Sequence, residues 1–232
     1  MRTGVISTLA ALAASLIVAL GLSSVVLADH HHGTKKSSQE SVELGKKMRP
    51  TGSLIVNGLR TPAAFAYIKD DDSRARALFA EMAKVMQHPR CANCHPVSGG
   101  PRQGDDQHAH VPPVGRGIAG IGPYAMQCTT CHGTTNVAYT SMQGSVPGAQ
   151  PWRLAPASMG WLGHELDALC RQVKDKARNG GRSLDDLIAH HTTDHLVNWA
   201  WHPGEGRTPA PGDQATFGAL TAAWVEAGAG CP

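Results

Sequence analysis

The chain has 232 residues, a formal charge of +3 and an aromatic share of 5%. Its lysines and arginines are scattered without a basic stripe, so no nucleic-acid partner is suggested. With 26 glycines and 15 prolines but only three Phe and three Tyr, it must carry abundant loops and a thin core, unless a bulky bound group supplies the missing volume.

Arg2 precedes an uncharged run from Gly4 to Ala28 that ends in VVLA. Small residues at Val26 and Ala28 suit a signal peptidase, so residues 1–28 read as a cleaved signal peptide. The run is also long enough to span a bilayer, so an N-terminal anchor is the alternative, and a membrane is expected only in that case. Either way the remainder is exported, and a periplasmic location is expected. Residues 29–52 read as a flexible polar linker. Its His30, His31 and His32 suit a solvated terminus, with metal binding as the alternative.

Residues 53–232 form the expected domain. Leu54–Leu59 suits a short extended segment. Ser73 follows three aspartates and is a natural N-cap for a helix, whose apolar face is Leu78, Phe79, Met82, Val85 and Met86. Both methionines sit on that face as ordinary core. Pro89 ends the helix just before the first Cys motif. Residues 96–123 have no periodicity, and 133–160 are again loop. Three further helices are expected. One carries Leu166, Leu169, Cys170 and Val173 and is stopped at Arg178–Gly181. The next opens with a Ser183–Asp186 capping box and buries Leu184, Leu187, Ile188 and His191. The last is capped by Asp213, buries Phe217, Leu220 and Trp224, and ends at Gly228. The fold class is therefore mainly α with long irregular loops.

Two stretches carry the chemistry, CANCH at 91–95 and CTTCH at 128–132. Two thiols separated by two residues at a helix start can each form a thioether with a haem vinyl group. The following imidazole then turns to the iron. This assigns Cys91, Cys94 and proximal His95 to one haem c, and Cys128, Cys131 and proximal His132 to a second. A zinc ribbon and redox disulfides are the alternatives. A His after both pairs, together with export, favours haem over either. Cys91 and Cys128 lie 37 residues apart, less than a self-contained single-haem domain needs. Two haems sharing one compact, cytochrome c-like fold are therefore expected.

Iron accepts His or Met as its distal ligand. The pool is His88, His108, His110, His164, His190, His191, His195, His202, Met126, Met142 and Met159. His110 is favoured, in a loop stiffened by Pro112 and Pro113. His88 precedes the first motif and is within reach of the second haem, and Met159 lies in a Pro-containing loop after the last motif. Cys170 and Cys231 fall outside both motifs, and in an exported chain a disulfide between them is the natural pairing, with two free thiols as the alternative.

HPRCANCHP, MQCTTCH, CRQVKD, RNGG, WAWHPGEGRTPAPG and the terminal AGCP resemble dihaem bacterial proteins labelled isoquinoline 1-oxidoreductase subunit. The resemblance covers about residues 75–232. It implies an electron-accepting subunit beside a molybdenum hydroxylase rather than the catalyst itself. The expected function is electron transfer between a periplasmic dehydrogenase and a downstream carrier. A haem protein with an open axial site and a zinc-stapled interaction domain are the competing classes. No nucleophile triad, paired-carboxylate site or phosphate-binding Gly loop stands out.

Overall fold

The computed structural model describes residues 53–140 and 144–232. The expected leader, the linker with His30–His32, and Met142 lie outside the described residues. The described chain is helix-rich with a few very short strands. Among the described residues no helix is long and apolar enough to cross a membrane.

The domain opens with a small hairpin. Strands β1 (Ile55–Val56) and β2 (Leu59–Arg60) pair antiparallel across Asn57-Gly58, both in the left-handed region that such a tight turn needs. Helix α1 (Asp71–Met86) follows. Its N-cap is Asp70 rather than Ser73: the Asp70 carboxylate accepts the Ser73 N–H at 2.8 Å. Asp and Ser are equally good caps, so the first carboxylate that reached a free N–H three residues on took the position. Pro89 does more than stop α1. It opens the short helix α2 (Pro89–Ala92), where its missing N–H costs nothing.

Among the described residues, the middle of the chain, 96–165, is mostly loop, pinned by two tiny antiparallel pairs. These are β3 (Arg102–Gln103) with β4 (His108–Ala109), and β5 (Val137–Ala138) with β6 (Ser145–Val146). The helical half then resumes with α3 (Leu166–Lys174), α4 (Leu184–Thr193), α5 (His195–Asn198) and α6 (Gln214–Glu226). The Ser183–Asp186 capping box on α4 is present in both directions. Asp213 caps α6 by accepting the Thr216 N–H at 2.7 Å.

The core lies where α1 and α4 pack against α6. Phe79 of α1 meets Trp224 of α6 with ring centroids 5.4 Å apart, and the Trp224 indole N–H donates to the Gly230 carbonyl at 2.9 Å. Leu78, Met82, Val85, Met86, Leu169 and Leu220 are fully buried around them. Each such side chain contributes roughly 1.5–3 kcal/mol on removal from water. Cys170 and Cys231 are joined as a disulfide, fixing the C-terminus to α3. His191 is buried, and its Nδ1–H donates to the Thr221 hydroxyl at 2.9 Å.

Candidate cofactor centre

The first motif starts on α2, directly after α1, so its position is set by the helical core. Arg90 and Ala92 are buried beneath it. The two thiols are held in the protonated form. Burial first, then the neighbouring Cys94, pushes Cys91 up to about 12. Burial first, then the nearby Cys128, pushes Cys94 up to about 11. The influence of Cys128 on Cys94 also brings the two motifs side by side.

His95 is gripped from behind. Its Nδ1–H donates to the Met159 carbonyl at 2.8 Å, and because a carbonyl only accepts, Nε2 is left as the bare lone pair. Trp161 stacks on the ring, centroids 3.3 Å apart and nearly parallel, and its backbone N–H donates to the His95 carbonyl at 2.8 Å. Burial depresses His95 to about 3, keeping the imidazole neutral; the hydrogen bond to Met159 opposes this and the nearby His190 reinforces it. Gly160 makes this possible: a Cβ there would lie 2.5 Å from the Val97 Cα.

The second motif repeats the grip on a different foundation. Cys128–Thr130 form a 3-10 turn and Cys131 is exposed. His132 donates Nδ1–H to the Pro147 carbonyl at 2.7 Å and stacks on Trp152, centroids 4.5 Å apart at 10°. Burial lowers its pKa. Gly148, directly after Pro147, packs so closely that a Cβ would lie 2.1 Å from the Thr135 carbonyl oxygen. In each half the carbonyl-bearing residue is followed by Gly and then, within a few positions, by Trp. SMGW and VPGAQPW are the legible traces of this. Sequence reading treated both as plain loop and missed Trp152 and Trp161.

The three expected distal residues fall in different places. His110 comes to the second motif, its ring centroid 6.0 Å from that of His132 and 63° out of plane. Its Nδ1–H donates to the Pro112 carbonyl at 2.8 Å, again leaving Nε2 bare. His88 has the other tautomer. As N-cap of α2 its Nδ1 accepts the Arg90 N–H at 3.3 Å, so its neutral ring carries the proton on Nε2. It lines an open cavity of about 690 Å³ with Trp201, His202 and Asp213. Met159 sits behind His95 through its carbonyl, and its side chain is in the buried core.

A haem c fits this donor set. Two imidazoles are neutral with Nε2 unoccupied by any protein partner, and four thiols are unpaired. The buried N–H groups of Trp161 Nε1 and Arg90 Nε lack hydrogen-bond partners, which suits a group that brings its own carboxylates. Among the described residues no three His, Cys, Asp or Glu converge as a metal-holding group, so the cysteines are not gathered as a closed tetrahedral site would require. No family model, curated protein or solved structure matches the chain.

Proposed function

We propose that this chain is an exported dihaem c-type cytochrome with a cytochrome c-like fold. It would pass electrons from a periplasmic dehydrogenase to a downstream carrier. The observation that carries the reading is the repeated imidazole grip. Behind each Cys-x-x-Cys-His, a backbone carbonyl takes the Nδ1 proton and an indole stacks on the ring. Structural histidines have no need of a bare Nε2, whereas iron-binding ones do.

When bound, haem supplies the one-electron iron couple. The chain's own residues do the rest. Cys91 and Cys94 tether the first group, and Cys128 and Cys131 the second. His95 and His132 present neutral nitrogens to the irons. Met159 and Pro147 keep those rings from turning. His110, whose ring lies beside that of His132, would offer a second imidazole to the group held there. The adjacency of Cys94 and Cys128 keeps the two groups within one domain, which supports exchange of electrons between them. The resemblance to isoquinoline 1-oxidoreductase subunits makes a molybdenum hydroxylase the proposed electron donor.

The test is a pyridine haemochrome assay on the full chain matured in a periplasm with its haem-attachment machinery. Two c-type haems per chain are expected, with a matching mass increase. A chain that folds with no haem, or that binds zinc through its four cysteines, overturns the reading.

A further inference from the structure

On the dihaem reading, on which this rests, His132 must be held as firmly as His95, yet the two grips are not equally supported. Met159 and Trp161, behind His95, belong to the buried core. Pro147 and Trp152, behind His132, stand on loops and are only partly buried. Both lead to one side chain, Asn136, which follows His132 in the same loop.

The Asn136 carboxamide oxygen accepts twice, from the Gly148 backbone N–H at 3.0 Å and from the Trp199 indole N–H at 2.9 Å. Its nitrogen donates to the His202 carbonyl at 2.9 Å. Both N–H partners only donate and the carbonyl only accepts, so the amide can face one way alone. The first bond acts on the carbonyl grip. The Gly148 N–H belongs to the same planar peptide as the Pro147 carbonyl that takes the His132 Nδ1 proton. Holding that N–H therefore aims the C=O. The second bond acts on the ring. Trp199 meets Trp152 edge-on at 5.1 Å, and Trp152 lies flat against His132 at 4.5 Å. One amide oxygen thus sets both supports of the imidazole. The backbone is shaped to admit it: Gly204, at a φ of 81°, comes so near that a Cβ there would lie 3.1 Å from Asn136 Nδ2.

Trp199 also faces the first motif. The guanidinium of Arg90, directly before Cys91, lies 6.0 Å from the centre of its ring. Helix α2 packs against the 3-10 turn Trp199–Trp201. The indole that Asn136 holds is therefore shared by the two motifs.

We propose that Asn136 is the positioning residue of the second site. Through the Pro147–Gly148 peptide and the Trp199–Trp152 pair it fixes the ring plane of His132, and it ties that plane to the helical half that carries the first motif.

The test compares wild type, Asn136→Leu, Asn136→Asp and Trp199→Phe as full-length matured proteins. Asn136→Leu fills the space but accepts no hydrogen bond. Asn136→Asp keeps both acceptor bonds and loses the bond to His202. Trp199→Phe keeps a ring against Trp152 and loses the indole N–H. Haem content is read by pyridine haemochrome. The electron paramagnetic resonance of the oxidised protein reads the plane of each iron-bound imidazole through its anisotropy. The indole N–H resonances of the reduced protein read the Asn136–Trp199 bond, and the peak missing from Trp199→Phe identifies Trp199. Asn136→Leu should keep two haems, alter the signal of one iron, leave the other unchanged, and shift the Trp199 indole peak upfield. Asn136→Asp should return the iron signal towards wild type, which a mere loss of mooring at His202 would not allow. If Asn136→Leu does not fold, Trp199→Phe decides, and it should alter the same single signal. Unaltered iron signals in whichever of these two variants folds, alteration of both signals, an unshifted indole peak, or an Asn136→Asp protein as altered as Asn136→Leu would overturn the assignment. A wild type with fewer than two haems would instead overturn the dihaem reading, and the indole shift, which needs no haem to be read, would still report the Asn136 link.

Discussion

The two cysteine motifs share a local grip but stand on unlike ground. The first grows out of α1 and α2, with Arg90 and Asn93 buried beneath it and its two thiols partly buried. The second sits on a 3-10 turn among Ile118, Tyr124, Met126 and Val137, all of which are exposed. It is moored to the helical half by a few polar links. The Trp199 indole N–H donates to Asn136 at 2.9 Å, Asn136 in turn donates to the His202 carbonyl at 2.9 Å, and Arg207 reaches the Ser145 hydroxyl at 2.7 Å. Trp152 meets Trp199 edge-on, 5.1 Å apart. The difference teaches that hydrophobic packing builds the first site, whereas the second lacks apolar cover of its own. A haem bound there would supply it. It also sets an expected order of potentials, since burial in low dielectric favours the less charged reduced iron at the first site.

The sharpest break between the halves comes from removing one tether pair at a time. Cys91→Ser with Cys94→Ser should leave an apolar vacancy against the core and yield little folded protein. Cys128→Ser with Cys131→Ser should yield a folded protein with its helical circular dichroism retained. Equal loss of helicity in the two double variants would show that the loops and the core are one cooperative unit rather than a foundation and an annexe.

The helical half was legible because its signals are local. The Ser183–Asp186 box, the Asp213 cap, and the spacing of Leu78, Phe79 and Met82 each act within a few residues. The two Cys-x-x-Cys-His stretches stand out in the sequence because their spacing repeats. Three things were hidden, and each depends on residues far apart in sequence. The carbonyl grips join His95 to Met159 across 64 residues and His132 to Pro147 across 15. The choice of tautomer at His88 depends on which backbone N–H its ring meets. The cap at Asp70 was misread as Ser73 because three successive aspartates each fit the pattern equally well.

The disulfide offers the next largest effect. It closes a loop of 61 residues from α3 to the C-terminus, and its reduction should cost about 4 kcal/mol in the chain-entropy model. Because both ends lie in the helical half, thermal unfolding after reduction should release the first site together with α1 and α6. Thermal melts followed by circular dichroism and Trp fluorescence check this. Simultaneous, unshifted melting would show the cross-link to be idle.

Glu81 tests the same half through pH. Its side chain is fully buried, yet it accepts the Arg60 backbone N–H at 2.9 Å, the Arg60 guanidinium at 2.8 Å and the Lys84 ammonium at 2.9 Å. Burial pushes its pKa up, but these three donors outweigh it and hold the carboxyl below its ordinary value of 4.5. The folded state therefore binds this proton less readily than the unfolded one. The stability it contributes is complete above pH 4.5 and is lost as pH falls through the lower folded value. Glu81→Gln should cost about 3 kcal/mol at neutral pH, the order seen when one partner of a buried pair is removed, and should flatten the acid slope of the urea midpoint. An unchanged slope would place the acid-sensitive group elsewhere.

His110→Ala should have the smallest effect on stability and the clearest one on the second site. The residue lies on a loop, held by one hydrogen bond to Pro112, so its loss should cost less than about 1 kcal/mol. If His110 is the far-side partner of His132, the variant turns the second iron high-spin and opens it to carbon monoxide, while the first iron is unmoved. Because the second motif is exposed, added imidazole should enter and restore low spin rapidly. Slow or absent restoration would show that the second motif is shielded rather than open.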